Sequence, residues 1–263
     1  MTRLPTVAAE LRKLATLPAA RFGLAAALAG PVAVTTINAR LYAGSSWGID
    51  DPAVQASFDS APLGAIGAAV VAVVVVSSEY AHARRAAGSP RQISASLAAT
   101  PGRWRLLGAK LAAVAAATGL VAAVTTLVSL VAGHLAAGEQ LPAGSGTDVL
   151  ARSAGVVLFV TFTAVAASSV TVLCRSAVIP LVMFIGFSSV VSPTVLLARV
   201  TTLAHYLPDS AGLRMFVGDS AVADGGIDPL ASPLGPLAGG LVMAAWVAAL
   251  VVTAAVAFAR RDA

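Results

Sequence analysis

Residues 237–258 read LAGGLVMAAWVAALVVTAAVAF, an apolar run without a single charge. At 1.5 Å of rise per residue, a helix of about 20 residues crosses the roughly 30 Å hydrocarbon core of a bilayer. Residues 64–76, GAIGAAVVAVVVV, form the heart of a second such run. Outward from these two, apolar stretches recur along the chain and predict six transmembrane helices, at about 22–42, 62–80, 106–133, 150–173, 177–198 and 234–258. The first is the weakest, because Pro31, Asn38 and Arg40 interrupt it. The expected fold class is all-α, a polytopic membrane protein. Composition agrees: 58% of the 263 residues are hydrophobic and 11% charged, where soluble domains hold about 45–50% and about 25%.

Ahead of the spans, residues 4–17 read LPTVAAELRKLATL. Leu4, Val7, Leu11 and Leu14 share one helical face, and Glu10, Arg12, Lys13 and Thr16 take the other. That division predicts an amphipathic helix on the membrane surface, broken by Pro18. The start of the chain has no compact apolar core with a cleavage site behind it, so the first span is expected to be retained. The organisation expected is a cytoplasmic entry helix, 1–19, followed by one six-span domain, 20–263.

A net charge of +5 raises nucleic acid as a partner, but the bases sit at the ends of apolar runs, where they orient helices. No nucleic-acid partner is expected; the lipid bilayer is. With the N-terminus inside, 13 of the 17 Lys and Arg lie in inner segments. Only Arg40, Arg152, Arg199 and Arg214 lie outside. The positive-inside rule therefore predicts both termini in the cytoplasm.

The chemistry that is missing narrows the function. No GxxxxGK[ST] loop occurs, so nucleotide hydrolysis by the P-loop route is not expected of this chain. HExxH is absent, and His82, His134 and His205 are scattered near span ends. No acid lies deep in a span, which counts against an ion-coupled carrier and against a membrane enzyme. No cofactor or metal is expected. Cys174, the single cysteine, excludes an internal disulfide and reads as a small buried hydrophobe. Hydroxyls within the spans (Thr35, Thr36, Thr125, Thr126, Thr161, Thr163, Ser168, Ser169, Ser188 and Ser189) either bond their own helix backbone, the usual habit, or line a path. Gly235-x-x-x-Gly239 offers a close helix contact, within the subunit or at a dimer seam. In the longest outer segment, 199–233, the patch Leu213–Val217 reads as a dip into the interface or an exposed loop.

The inner segment and its flanks, residues 77–110, read SSEYAHARRAAGSPRQISASLAATPGRWRLLGAK. After Pro90, residues 91–99 can form a short helix, and Thr100, Pro101 and Gly102 then turn the chain into the next span. A short polar helix held between two spans is a contact point for a cytoplasmic partner; a basic loop that only fixes topology explains the same residues.

Ser77-Ser78-Glu79-Tyr80, Ser96-Leu97-Ala98-Ala99-Thr100-Pro101, Arg103, Arg105-Leu106-Leu107 and Lys110 together resemble the inner loop of the type-2 ABC exporter permease family, the membrane subunits of bacterial ABC transporters. Glu10-Leu11-Arg12-Lys13-Leu14 is similar to that family's entry helix, and the likeness covers nearly the whole chain. Ala81 to Gly88 departs from the family, which often has an arginine and a Gly-Thr pair there. The resemblance implies a permease in a bacterial cell membrane, paired with a second copy or a similar chain, with ATP bound by a separate ABC ATPase subunit. It implies that residues 90–103 dock on that subunit, with Glu79, Tyr80, Arg91, Ser96, Thr100, Pro101 and Arg103 in the coupling region. It also implies that Glu79 steadies the elbow by pairing with Arg12 or Lys13. The alternative is a membrane anchor or sensor that recruits a partner and transports nothing; a membrane enzyme is the poorest fit.

Overall fold

The computed structural model describes residues 9, 11–12, 16–45, 49, 51–85, 103–138, 146–187, 194, 197, 200–217 and 234–261. Among these residues the regular structure is helical throughout. The elements are α1 (Pro18–Ala43), α2 (Pro52–Asp59), α3 (Ala61–Arg85), α4 (Arg103–Ala137), α5 (Gly146–Cys174), α6 (Val178–Phe187), a 3-10 turn (Thr202–Tyr206), α7 (Pro208–Leu213) and α8 (Pro236–Arg261). Five helices are long and apolar enough to cross a membrane: α1, α2 with α3, α4, α5 and α8. This is the architecture of a multi-pass membrane protein. Over the predicted span 177–198, the described residues hold α6, ten residues long, and most of the remainder lies outside them.

Burial sorts the helices into two kinds. In α2–α3 and in α5, 67% of the most apolar window is buried, so these two form the centre. α1, α4 and α8 surround them and turn large apolar side chains outward. Phe22, Leu120, Leu127, Leu237 and Leu241 are all more than 60% exposed. A soluble protein avoids apolar patches of this extent; a lipid-facing surface needs them.

Leu17 is extended and Pro18 stands at the first position of α1, where its missing N–H costs nothing. Ala9, Leu11 and Arg12, ahead of it, are helical and exposed. The helical backbone is interrupted at Leu17, next to the expected break at Pro18; of the expected entry-helix residues, Glu10 and Lys13 lie outside the described residues. Pro31 does not break α1, which runs 26 residues through it. The reason is the facing surface. Ala20, Gly23, Ala27, Pro31, Thr35 and Ala39 form the buried stripe of α1, and small residues of α3 meet it. A Cβ on Gly67 would stand 2.6 Å from Ala27 Cβ, and one on Gly23 would stand 2.6 Å from Val71 Cγ2. Backbones approach this closely only through small residues, the usual means of helix association in a membrane.

Candidate functional site

The helices alternate, so the bundle has two ends. One gathers the start of α1, the close of α3, the start of α4 and the closes of α5 and α8, and it carries Arg21, Arg84, Arg85, Arg103, Arg105, Arg175, Arg260 and Arg261. The other carries Asp51, Asp59, Asp148 and Asp209.

At the arginine-rich end, Val76, Leu107, Leu111, Val172, Ala254, Ala255 and Phe258 pack as one apolar cluster. Glu79 and Tyr80 lie one turn beyond Val76 on α3, and Arg103 lies one turn before Leu107 on α4. The cluster therefore brings the two helix ends that flank residues 86–102 to one place. Arg91, Ser96, Thr100 and Pro101, and with them the expected docking segment up to Arg103, lie outside the described residues. Arg12 is described; Glu10 and Lys13 are not. Lys110 is 96% buried, at 4% relative exposure. Its place among Leu107, Leu111 and Val114 on one face of α4, all buried, was the available signal. A charge drawn inside must be matched by polar partners, which makes Lys110 part of this end's internal structure as well as of its charge count.

The opposite end is stitched from side chains of several elements. Asp51 caps α2, its carboxylate accepting from the Val54 N–H at 2.9 Å. Asp59 accepts from Tyr42 Oη at 3.0 Å and from Gln55 Nε2 at 2.9 Å, tying α1 to α2. The Arg152 guanidinium lies 4.2 Å from the centre of the Phe58 ring, and its Nε donates to the Phe216 carbonyl at 2.8 Å. Phe216 in turn packs on Phe159, ring centres 5.3 Å apart. One arginine thus links α2, α5 and the turn after α7. Sequence reading used Arg152 only to set orientation.

That turn is not an exposed loop. Met215 and Phe216 are buried in the main core, and the Met215 carbonyl lies where a Cβ on Gly155 would stand. Gly239 meets the Ala211 carbonyl of α7 in the same way, while a Cβ on Gly235 would meet nothing within 4 Å among the described residues. The Gly239 half of the small-residue motif is therefore used within the subunit.

Two further expectations resolve. Cys174 is exposed, not buried, because it is the last residue of α5 and the chain turns away at Arg175, whose φ is 50°. His134 is buried on the last turn of α4 and donates from Nδ1 to the Leu130 carbonyl at 2.7 Å, an internal bond of its own helix.

The hydroxyls divide. Thr36, Thr126, Thr161, Thr163 and Ser169 each donate to the carbonyl four residues back, at 2.7–2.9 Å. Thr35 instead crosses to Ser60, Oγ1 to Oγ 2.7 Å. Ser60 spends its own proton on the Ser57 carbonyl, so Thr35 is the donor. Thr125, Ser129 and Ser168 are buried with no hydrogen-bond partner at the hydroxyl among the described residues. Ser188 and Ser189 lie outside the described residues.

Among the described residues no group of three or more His, Cys, Asp or Glu is placed to hold a metal ion. No protein-family model, curated protein or solved structure matches the chain.

Proposed function

We propose that the chain is the membrane-spanning permease of an ATP-driven bacterial exporter, working as a dimer with a second copy or a similar chain. It has six spans and cytoplasmic termini, and a separate ABC ATPase binds ATP. The observation that carries this reading is the sequence pattern of residues 77–110, from Ser77-Ser78-Glu79-Tyr80 to Lys110. Its two ends sit on α3 and α4, which share the Val76–Leu107 contact cluster at the arginine-rich end. A segment anchored so at both ends transmits a push from a docked subunit to two spans at once. The apolar exterior of α1, α4 and α8 supports a life in lipid, and the lack of any acid deep in a span leaves the energy to a partner.

The test is purification of the tagged chain from its native membrane in mild detergent. The permease reading expects a co-purifying P-loop ATPase that is lost when residues 90–103 are scrambled while the spans still insert. Charge reversal at Glu79 or Arg103 should uncouple ATP-dependent transport. Intact, correctly inserted protein that brings down no ATPase in several detergents would leave the anchor or sensor standing instead.

A further inference from the structure

Between α1, α2, α3, α4 and α5 lies a partly enclosed cavity of about 20 Å³. Ala27, Pro31, Ser57, Ser60, Thr125 and Ser129 are among the residues around it. Thr125 and Ser129 stand four residues apart on α4, hence on one face, one above the other. They are 6% and 2% exposed, and neither hydroxyl has a partner among the described residues. Across the cavity, Pro31 has no N–H to offer the carbonyl of Ala27, so the ordinary i to i−4 bond of α1 is missing there. Buried hydroxyls and carbonyls are almost always satisfied, by protein or by ordered water.

We propose that this cavity is an internal water site, one or two waters bridging the Thr125 and Ser129 hydroxyls of α4 to the Ala27 carbonyl of α1. Three features select water. The space exceeds the roughly 10–15 Å³ that one water requires, and a water finds the two to four partners it needs. Every residue around the cavity is uncharged, so a metal cation would sit in an apolar bundle with no counter-charge. The groups to be satisfied are two neutral hydroxyls and one carbonyl, and water can both donate to and accept from such groups. The water also explains how a proline in the buried stripe of a span is tolerated, since the freed carbonyl is bonded through solvent instead of being left bare.

The test uses the full chain in lipid nanodiscs. Hydroxyl radicals generated by X-rays from water oxidise side chains beside bound internal waters. Pro31 and Val160, both buried and both bordering the cavity, should label about tenfold faster than Val73 and Val114, which are equally buried but do not border it. Equal labelling of the two pairs would overturn the site. Thr125→Val gives an independent sign. If the hydroxyl holds water, its loss lowers Tm and the labelling of Pro31; if it is dry, removing a bare buried hydroxyl raises Tm, which would overturn the proposal. A rise in Tm specific to Li⁺, Na⁺ or K⁺ and abolished by Thr125→Val would do the same, assigning the cavity to a cation.

Discussion

The two ends of the bundle carry their charges differently. At the acid-bearing end, Asp51, Asp59 and Arg152 each have a named structural partner, and together they tie α1, α2, α5 and the turn after α7. At the arginine-rich end, an apolar cluster holds the helices together, and the bases follow at the helix termini. The same residue type is a structural tie in one place and, in the other, the basis of the expected orientation. The difference teaches that the charge count of a segment says which way a helix faces, whereas only the fold says which charge holds it there.

The sharpest way to break this contrast is Arg152→Ala. It removes the cation–π contact with Phe58 and the charged donor to the Phe216 carbonyl, and should cost about 3 kcal/mol, read as a fall in Tm in detergent. Arg152→Lys should recover only part of this, because one ammonium cannot reproduce the guanidinium's stacking and fixed donor geometry. If Arg152→Ala melted like the parent, the tie would be decorative.

Gly155→Ala comes next. Its Cβ meets the Met215 carbonyl, so the turn after α7 must lift from α5 at about 2 kcal/mol. Hydrogen exchange should accelerate at Met215, Phe216 and Val217 while α4 stays protected. Tyr42→Phe deletes one donor to Asp59 and should cost about 1 kcal/mol. A double-mutant cycle with Asp59→Asn isolates that bond from general effects of each substitution. Smallest of all, Arg84→Gln at the other end should move stability by less than about 0.5 kcal/mol. Its effect should appear only as a minor inverted population in cysteine-labelling of topology, and only when several bases are removed together.

The long helices were legible because hydropathy over 20 residues is a strong, local signal. The predicted span at 62–80 lies inside α3, 150–173 inside α5, and 106–133 inside α4. Each observed helix runs beyond its apolar core, α3 as far as Arg85, since a helix does not stop where the lipid does. The proline in α1 misled for a physical reason: its cost depends on what faces it, and Gly64 and Gly67 come from a different helix. α2 left a signal, Asp51 before Pro52 in N-cap and N1 order, but it is too short for hydropathy to mark. Near the expected docking segment, the second span is expected to end at about 80, whereas α3 continues to Arg85. The tie through Arg152 was not legible, since Phe58 and Phe216 lie 94 and 64 positions from it in sequence. Thr125 and Thr126 are neighbours of identical type and both border the cavity, yet Thr126 bonds the Ala122 carbonyl while the Thr125 hydroxyl has no partner among the described residues. Nothing in the sequence distinguishes them.

The small-residue stripe of α1 also bears on how the protein is made. Synthesis runs from the N-terminus, so α1 enters the bilayer before α3 exists. Alone among lipid tails, a face of Ala20, Gly23, Ala27 and Pro31 has nothing to select one rotation about the helix axis over another. Gly64, Gly67 and Val71 supply that selection. The facing of α1 is therefore decided after its insertion, and a nascent chain cut short of Ala61 holds α1 as a span with no fixed side.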